Sequence, residues 1–243
     1  LREVEGTVAL AGSLDWDGRN LKGKGAATLT DLALRYADMP LKGLNGTLSF
    51  RDMINIVTEG NQEITLSRFD PGLPLTNVRL IFSIEPAAET NEPTLLIKEA
   101  RAQSLLGPLL LTEGAYSLAS GDGRASLSFT RLDLSALAEL IDVEGLQVTG
   151  ILAGRVPLAF TNGTVTIANA SLDDTEVGTI RYNNEATRQA LSGGGESVSL
   201  MLDALEDFQY NDLQLHLDKP NDKELVFSIG LEGKNPDVLD GYP

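Results

Sequence analysis

Apolar residues recur on alternate positions in run after run of this chain, and the runs are separated by glycine-, serine-, asparagine- and threonine-rich turns. A period of two reads as a strand with one apolar and one polar face. In the stretch GILAGRVPLAFTNGTVTIANA, from Gly150 to Ala170, one face carries Leu152, Val156, Leu158 and Phe160. A turn at Asn162-Gly163 follows, and the return run places Val165 and Ile167 on one face. Asn-Gly between two such runs predicts a hairpin, because both residues tolerate a positive φ. A sheet built this way must bury its apolar face, and what it buries is the functional question.

The same pattern fills most of the chain. Runs from Val4 to Leu14, Gly23 to Leu34, Leu44 to Phe50 and Met53 to Thr58 read as strands, as does the alternation at Ile64 and Leu66. Asp15-Trp16-Asp17-Gly18 and Pro71-Gly72 mark turns. Val78, Leu80, Phe82 and Ile84 share one face of a run from Asn77 to Glu85. Thr94 to Ala102, Pro108 to Leu118 and Arg124 to Arg131 continue the series, the last with Leu127 and Phe129 on one side. Near the end, Leu213, Leu215 and Leu217 alternate with polar residues, and Leu225, Phe227, Ile229 and Leu231 form the final apolar set. The spacing of these hairpin units varies, as in a long meander and unlike a propeller.

Three segments break the period. Leu134, Leu137, Ala138 and Ile141 follow helical spacing, with Asp133 placed to cap the helix. Asn184 to Leu191 is a second, weaker helical segment. After Gly193-Gly194-Gly195, Val198, Met201, Leu202 and Leu205 make a third apolar stripe. Such stripes are expected to pack on the sheet. A lid over an open groove is the alternative.

Composition removes several function classes. The formal net charge of -16 and the scattered Lys and Arg leave no cationic surface for nucleic acid. The absence of cysteine rules out disulfides, thiolate chemistry and cysteine zinc sites. No run approaches the roughly 20 apolar residues of a membrane helix. With Leu1 as the first residue, the chain reads as a piece of a longer protein.

No constellation of catalytic residues stands out. The lone His216 lies on the polar side of a strand and is expected to face solvent. The segment around Ser192 lacks the G-x-S-x-G pattern of a nucleophile elbow. Asp15-x-Asp17-Gly18 lacks the later oxygen ligands of a calcium loop. Glu139, Asp142 and Glu144, and Glu206 with Asp207, sit on or beside short helices without a sugar platform. Asn45-Gly46-Thr47, Asn162-Gly163-Thr164 and Asn169-Ala170-Ser171 match the glycosylation triplet, two of them reading better as turns. A non-enzymatic protein that holds or conducts something, with no cofactor and no metal, is the expectation.

The last hundred residues carry a resemblance. In order they show Gly150-Ile151-Leu152-Ala153-Gly154-Arg155-Val156-Pro157-Leu158, Asn162-Gly163 and Gly178-Thr179-Ile180-Arg181-Tyr182. Ala204-Leu205-Glu206-Asp207-Phe208-Gln209-Tyr210 follows, then Leu231-Glu232-Gly233-Lys234-Asn235-Pro236 and Gly241-Tyr242-Pro243. This ordered set resembles the C-terminal region of the YdbH branch of the AsmA-like proteins, relatives of TamB and YhdP in Gram-negative bacteria. The resemblance implies a mainly β fold, a long twisted antiparallel meander curled into an apolar groove with two or three short helices. Residues 1–243 would form one elongated unit, with an N-terminal meander over 1–131 and a helix-bearing, partner-facing part over 132–243. It also implies a periplasmic location, with an inner-membrane anchor in a segment outside these residues. Phospholipid is the implied cargo, and a small outer-membrane lipoprotein is the implied partner, adding a strand at the C-terminal edge. The groove lining would be Val78, Leu80, Phe82, Leu152, Val156, Leu158, Phe160, Val165 and Ile167. It would continue through Leu213, Leu215, Leu225, Phe227, Ile229 and Leu231. Alternation alone leaves a second reading open, in which the sheet closes on itself and these residues form a packed core.

Overall fold

The structure, a computed structural model, describes residues 2–36, 39–70, 73–162, 164–191 and 193–238. The alternating runs pair as antiparallel neighbours, mostly but not everywhere in sequence order. They are β1 (Arg2–Trp16), β2 (Leu21–Tyr36), β3 (Met39–Asp52), β4 (Val57–Thr58), β5 (Gln62–Phe69), β6 (Leu75–Pro86), β7 (Pro93–Ser104), β8 (Gly107–Ser117) and β9 (Gly123–Asp133). Then come α1 (Leu134–Ile141), β10 (Leu146–Val148), β11 (Ile151–Thr161), β12 (Thr164–Glu176), β13 (Gly178–Tyr182), α2 (Glu185–Leu191) and α3 (Glu196–Ala204). The chain finishes with β14 (Phe208–Lys219) and β15 (Val226–Lys234). All fifteen strands belong to one sheet, so the expected mainly β meander is what forms. β1 pairs only with β2 and β15 only with β14, so the described strands do not close into a barrel.

Bulges interrupt several of the ladders. Asp31 in β2, Asn77 in β6, Glu113 in β8 and Asn169 in β12 all have φ between 48° and 55°. Each coincides with a register shift against a neighbouring strand. A bulge adds a residue, strengthens the local twist and bends the strand. It also frees an amide from the ladder. The Asp31 amide donates to Asn45 Oδ1 at 2.9 Å, and the Asn169 amide to Asp218 Oδ1 at 2.7 Å. Side chains of the adjacent strands thus satisfy donors that the bulges orphan.

Asn45-Gly46-Thr47 lies within β3, as the run from Leu44 to Phe50 predicts, and Asn45 serves the β2 bulge, while Asn169 is itself a bulge inside β12. One strand reading is corrected. Met53 to Thr58 is mostly turn, with only Val57 and Thr58 paired. Its cause is Asp52, whose Oδ1 accepts from the amides of Ile54 and Asn55 at 2.9 and 3.1 Å and pulls the chain out of the ladder. The turn expected at Asp15 to Gly18 lies two residues later, because Asp15 and Trp16 still pair with Lys22 and Leu21 and Asp17 Oδ1 accepts the amides of Arg19 and Asn20. Those amides, Asn20's first, hold the Asp17 carboxyl below its usual range. The turns at Pro71-Gly72 and Gly163, Ser192, and Gly241-Tyr242-Pro243 lie outside the described residues.

α1 begins and ends where its sequence predicts. Asp133 Oδ1 accepts from the amides of Ser135 and Ala136 at 2.8 and 3.4 Å and from the Ser135 hydroxyl at 2.6 Å. Asp142 closes the helix in the left-handed region at φ 50°. Leu134 is buried, and Ala136 and Leu137 pack on the sheet, whereas Ile141 is exposed. α2 and α3 form near their expected bounds, and of the α3 stripe Leu202 is buried while Met201 is exposed. His216 is exposed on β14.

The hydroxyl and then the amide of Ser135 lower the Asp133 carboxyl below its ordinary value. Its contribution is therefore present above the unfolded carboxylate pKa and is lost as pH falls through the lower, folded one. Asp133→Ala should cost about 1 kcal/mol of stability near pH 7. Urea denaturation of both forms at pH 7 and at pH 3 checks this, the gap narrowing in acid.

An apolar face as the candidate functional site

One face of the sheet carries two files of apolar residues that run across the strands. The first passes through directly paired positions: Val8, Leu29, Gly46, Ile64, Leu80, Ala100, Leu111, Leu127 and Val156. With about 4.8 Å between neighbouring strands, this file extends for roughly 38 Å. The second lies two residues along, on the same face: Ala102, Leu109, Phe129, Gly154, Leu172, Leu215 and Ile229. Together the files reach from β1 at one edge to β15 at the other. The strands β7, β8, β9 and β11 carry both, so the track is two residues wide in the middle.

Accessibility divides the track into three zones. Over β3 to β9 the face holds a hollow of about 320 Å³, with Leu44, Leu66, Val78, Leu80, Leu111 and Leu127 among its lining. Among the described residues, Arg101 is the only charged one at its wall. Leu32, Leu44, Leu66, Val78, Ala102 and Leu109 form a buried cluster beneath it. Next comes a packed zone at β9 to β14. Leu106, Leu132, Leu134, Leu152, Leu172, Tyr210, Leu213 and Leu215 make one buried cluster, with Ala136 and Leu137 of α1 against it. The third zone is β15, where Phe227 is 63% and Ile229 54% exposed.

The sequence-derived lining residues fall in different zones. Val78 and Leu80 line the hollow, and Phe82 is buried beside it, opposite Gln62 and Ile97. Leu152 has no exposed surface, and Leu213 and Leu215 share its cluster. Val156 is buried at the end of the first file. Leu158 stands between Ala125 and Ile167, and Phe160 faces Val165. The Phe160 ring meets Tyr116 edge-on, centroids 5.8 Å apart. Leu225 is exposed just before β15, and Phe227, Ile229 and Leu231 lie opposite Leu217, Leu215 and Leu213. Reasoning from the sequence missed Ile64, Ala100, Leu109 and Leu111, which also line the hollow. Alternation was visible in their runs, but only cross-strand register reveals that they align.

Tyr210 pins the packed zone to a break in the strands. Its hydroxyl donates to the Thr149 carbonyl at 2.7 Å. Burial, and then the charge of Asp174, pushes the phenol up to about 12. The break falls at Thr149-Gly150 between β10 and β11, and at Val177 between β12 and β13. Gly150 has φ 126°, and a Cβ there would stand 1.7 Å from the Tyr210 hydroxyl. Only glycine allows the ring to cross the backbone at this point.

The opposite face is ionic. Arg79 bonds Glu63 at 2.7 and 2.8 Å, and Arg101 bonds Glu99 at 2.8 Å. These residues alternate with Ile64, Leu80 and Ala100, so apolar and charged sides separate along each strand. The Arg79 hydrogen bond holds the Glu63 carboxyl below its ordinary range. A larger hollow of about 760 Å³ is lined by Thr149, Thr179, Gln209, Asn211, Glu232 and Lys234 among others. It converges no catalytic pair. Among the described residues, no three acidic or histidine groups are placed to hold a metal ion, and no helix is long and apolar enough to cross a membrane.

Neither a curated protein nor a solved structure matches the chain. A family model does, described as YdbH-like, intermembrane phospholipid transport protein YdbH, and it covers residues 1–243. By that match the chain belongs to the YdbH-like family of intermembrane phospholipid transport proteins.

Proposed function

We propose that the apolar face is a groove that shelters phospholipid acyl chains while their headgroups stay in water. The observation that carries this reading is the pair of cross-strand files, with the hollow of about 320 Å³ over β3 to β9. Acyl chains need a continuous apolar surface and no hydrogen-bond code. Burying each methylene contributes about 0.8 kcal/mol, so a short stretch of chain in the hollow is held by several kcal/mol. The ionic outer face keeps the sheet hydrated on its other side. In this reading residues 1–243 act as one elongated bridge segment in the periplasm, tied to the inner membrane through an anchor outside them.

The same reading gives β15 a partner. Its free edge offers unpaired amides and carbonyls, and Phe227 and Ile229 offer exposed apolar side chains at period two. A small outer-membrane lipoprotein that adds one strand would satisfy both.

A photo-crosslinking residue at Leu80 or Leu111 of the full-length protein in cells should yield phospholipid adducts, and one at Arg79 or Glu63 on the ionic face should not. Absence of adducts at Leu80, Leu111 and Ile64 together would overturn the groove and favour a closed core.

A further inference from the structure

We infer that α1 is a gate on the apolar track, an inference that rests on the groove reading and concerns its regulation. The track has an open hollow on one side and the exposed strand β15 on the other. Between them Leu152, Leu172 and Leu213 are 0%, 1% and 4% exposed, leaving no surface for a lipid chain. The second file runs straight through this zone at Leu172 and Leu215. A chain moving from the hollow to β15 along that file must displace whatever covers these residues.

Most of the cover belongs to the sheet itself and cannot lift without breaking ladders. α1 is the exception. Leu134, Ala136 and Leu137 pack on the cluster, but α1 makes no strand pairing. Its eight residues are too few for a helix that is stable alone, so it holds its place by its cap and its packing. The excursion that contains it also starts and ends at one point. The Leu134 amide bonds the Gly150 carbonyl at 3.1 Å, and Tyr210 fixes the adjoining Thr149. Asp142 at φ 50° and Gly145 at φ 80° provide bends between the helix and β10. Only residues 134–145 swing about these bends, while β10 stays paired with β13 and the sheet stays intact. On lifting, α1 withdraws Leu134, Ala136 and Leu137 from the cluster, and the acyl chain takes their place there.

The test compares phospholipid adducts at two photo-crosslinking positions in the full-length protein in cells, Leu111 in the hollow and Ile229 beyond the packed zone. Leu137→Ser weakens the packing of α1, and Asp133→Ala weakens its cap without touching the cluster. Each should raise the ratio of Ile229 to Leu111 adducts by at least threefold. A ratio unchanged or lowered in Asp133→Ala, the variant that preserves the cluster, overturns the gate. Adducts missing at Leu111 in the unmodified protein overturn the groove itself, which is a different outcome.

Discussion

Leu111→Asp should reduce phospholipid capture by a photo-crosslinker at Leu80 by more than tenfold, with the sheet still folded. Leu111 lies in the first file between Ala100 and Leu127 and lines the hollow. A carboxylate there sits where the cargo's methylenes would pack. Losing the burial of two or three methylenes, at about 0.8 kcal/mol each, already exceeds the roughly 1.4 kcal/mol of a tenfold change. The same substitution separates an open face from a closed core. Leu111 is only half-buried, so in an open hollow its carboxylate keeps water and the melting temperature falls by a few degrees. In a closed core the unpaired charge would be stripped of water, at a cost of several kcal/mol. Thermal denaturation followed by circular dichroism, beside the adduct yield, reads both. A folded variant with undiminished adducts would remove Leu111 from the path.

Gly150→Ala carries the second large effect, on stability. The new methyl would stand 1.7 Å from the Tyr210 hydroxyl, at a φ of 126° that side chains rarely adopt. Relief requires Tyr210 to leave its cluster or the strand break to shift. The expected cost is about 3 kcal/mol or more, the range of large single-site effects. For a chain of this size that lowers the melting temperature by roughly 6 to 12 °C. Tyr210→Phe removes the atom of closest approach and leaves Cζ at 3.0 Å. By itself it should cost about 1 kcal/mol through the lost bond to Thr149. In the double variant it should recover part of the Gly150→Ala loss, a favourable coupling that a double-mutant cycle measures. Additive losses would mean that the ring does not meet residue 150.

These two sites differ in how much of them the sequence discloses. The strands were legible because the period of two is a local property, and α1 was legible down to its cap because Asp133 and the helical stripe lie within one short window. Val78 and Leu80 were identified from alternation for the same reason. The files across the sheet were not legible, since they depend on register between strands far apart in sequence. Gly46 and Gly154 hold places in them without any hydrophobic signature. Bulges hide in a similar way. Asn45 looks like a turn residue beside Gly46, yet its role is to accept the amide of Asp31 on the next strand. Gly150 reads as one glycine among 24, and only Tyr210, 60 positions on, explains it.

The first file has a consequence for direction. Its successive positions are aliphatic or glycine, spaced one strand apart, with no polar side chain among them from Val8 to Val156. On the groove reading, a bound acyl chain would meet a nearly level free-energy profile over much of that length. A level profile favours neither end, because equal affinity at every step shifts no population. Net flow along it is then set by loading at one end and removal at the other, and the sheet sets only how freely the chain moves in one dimension between them.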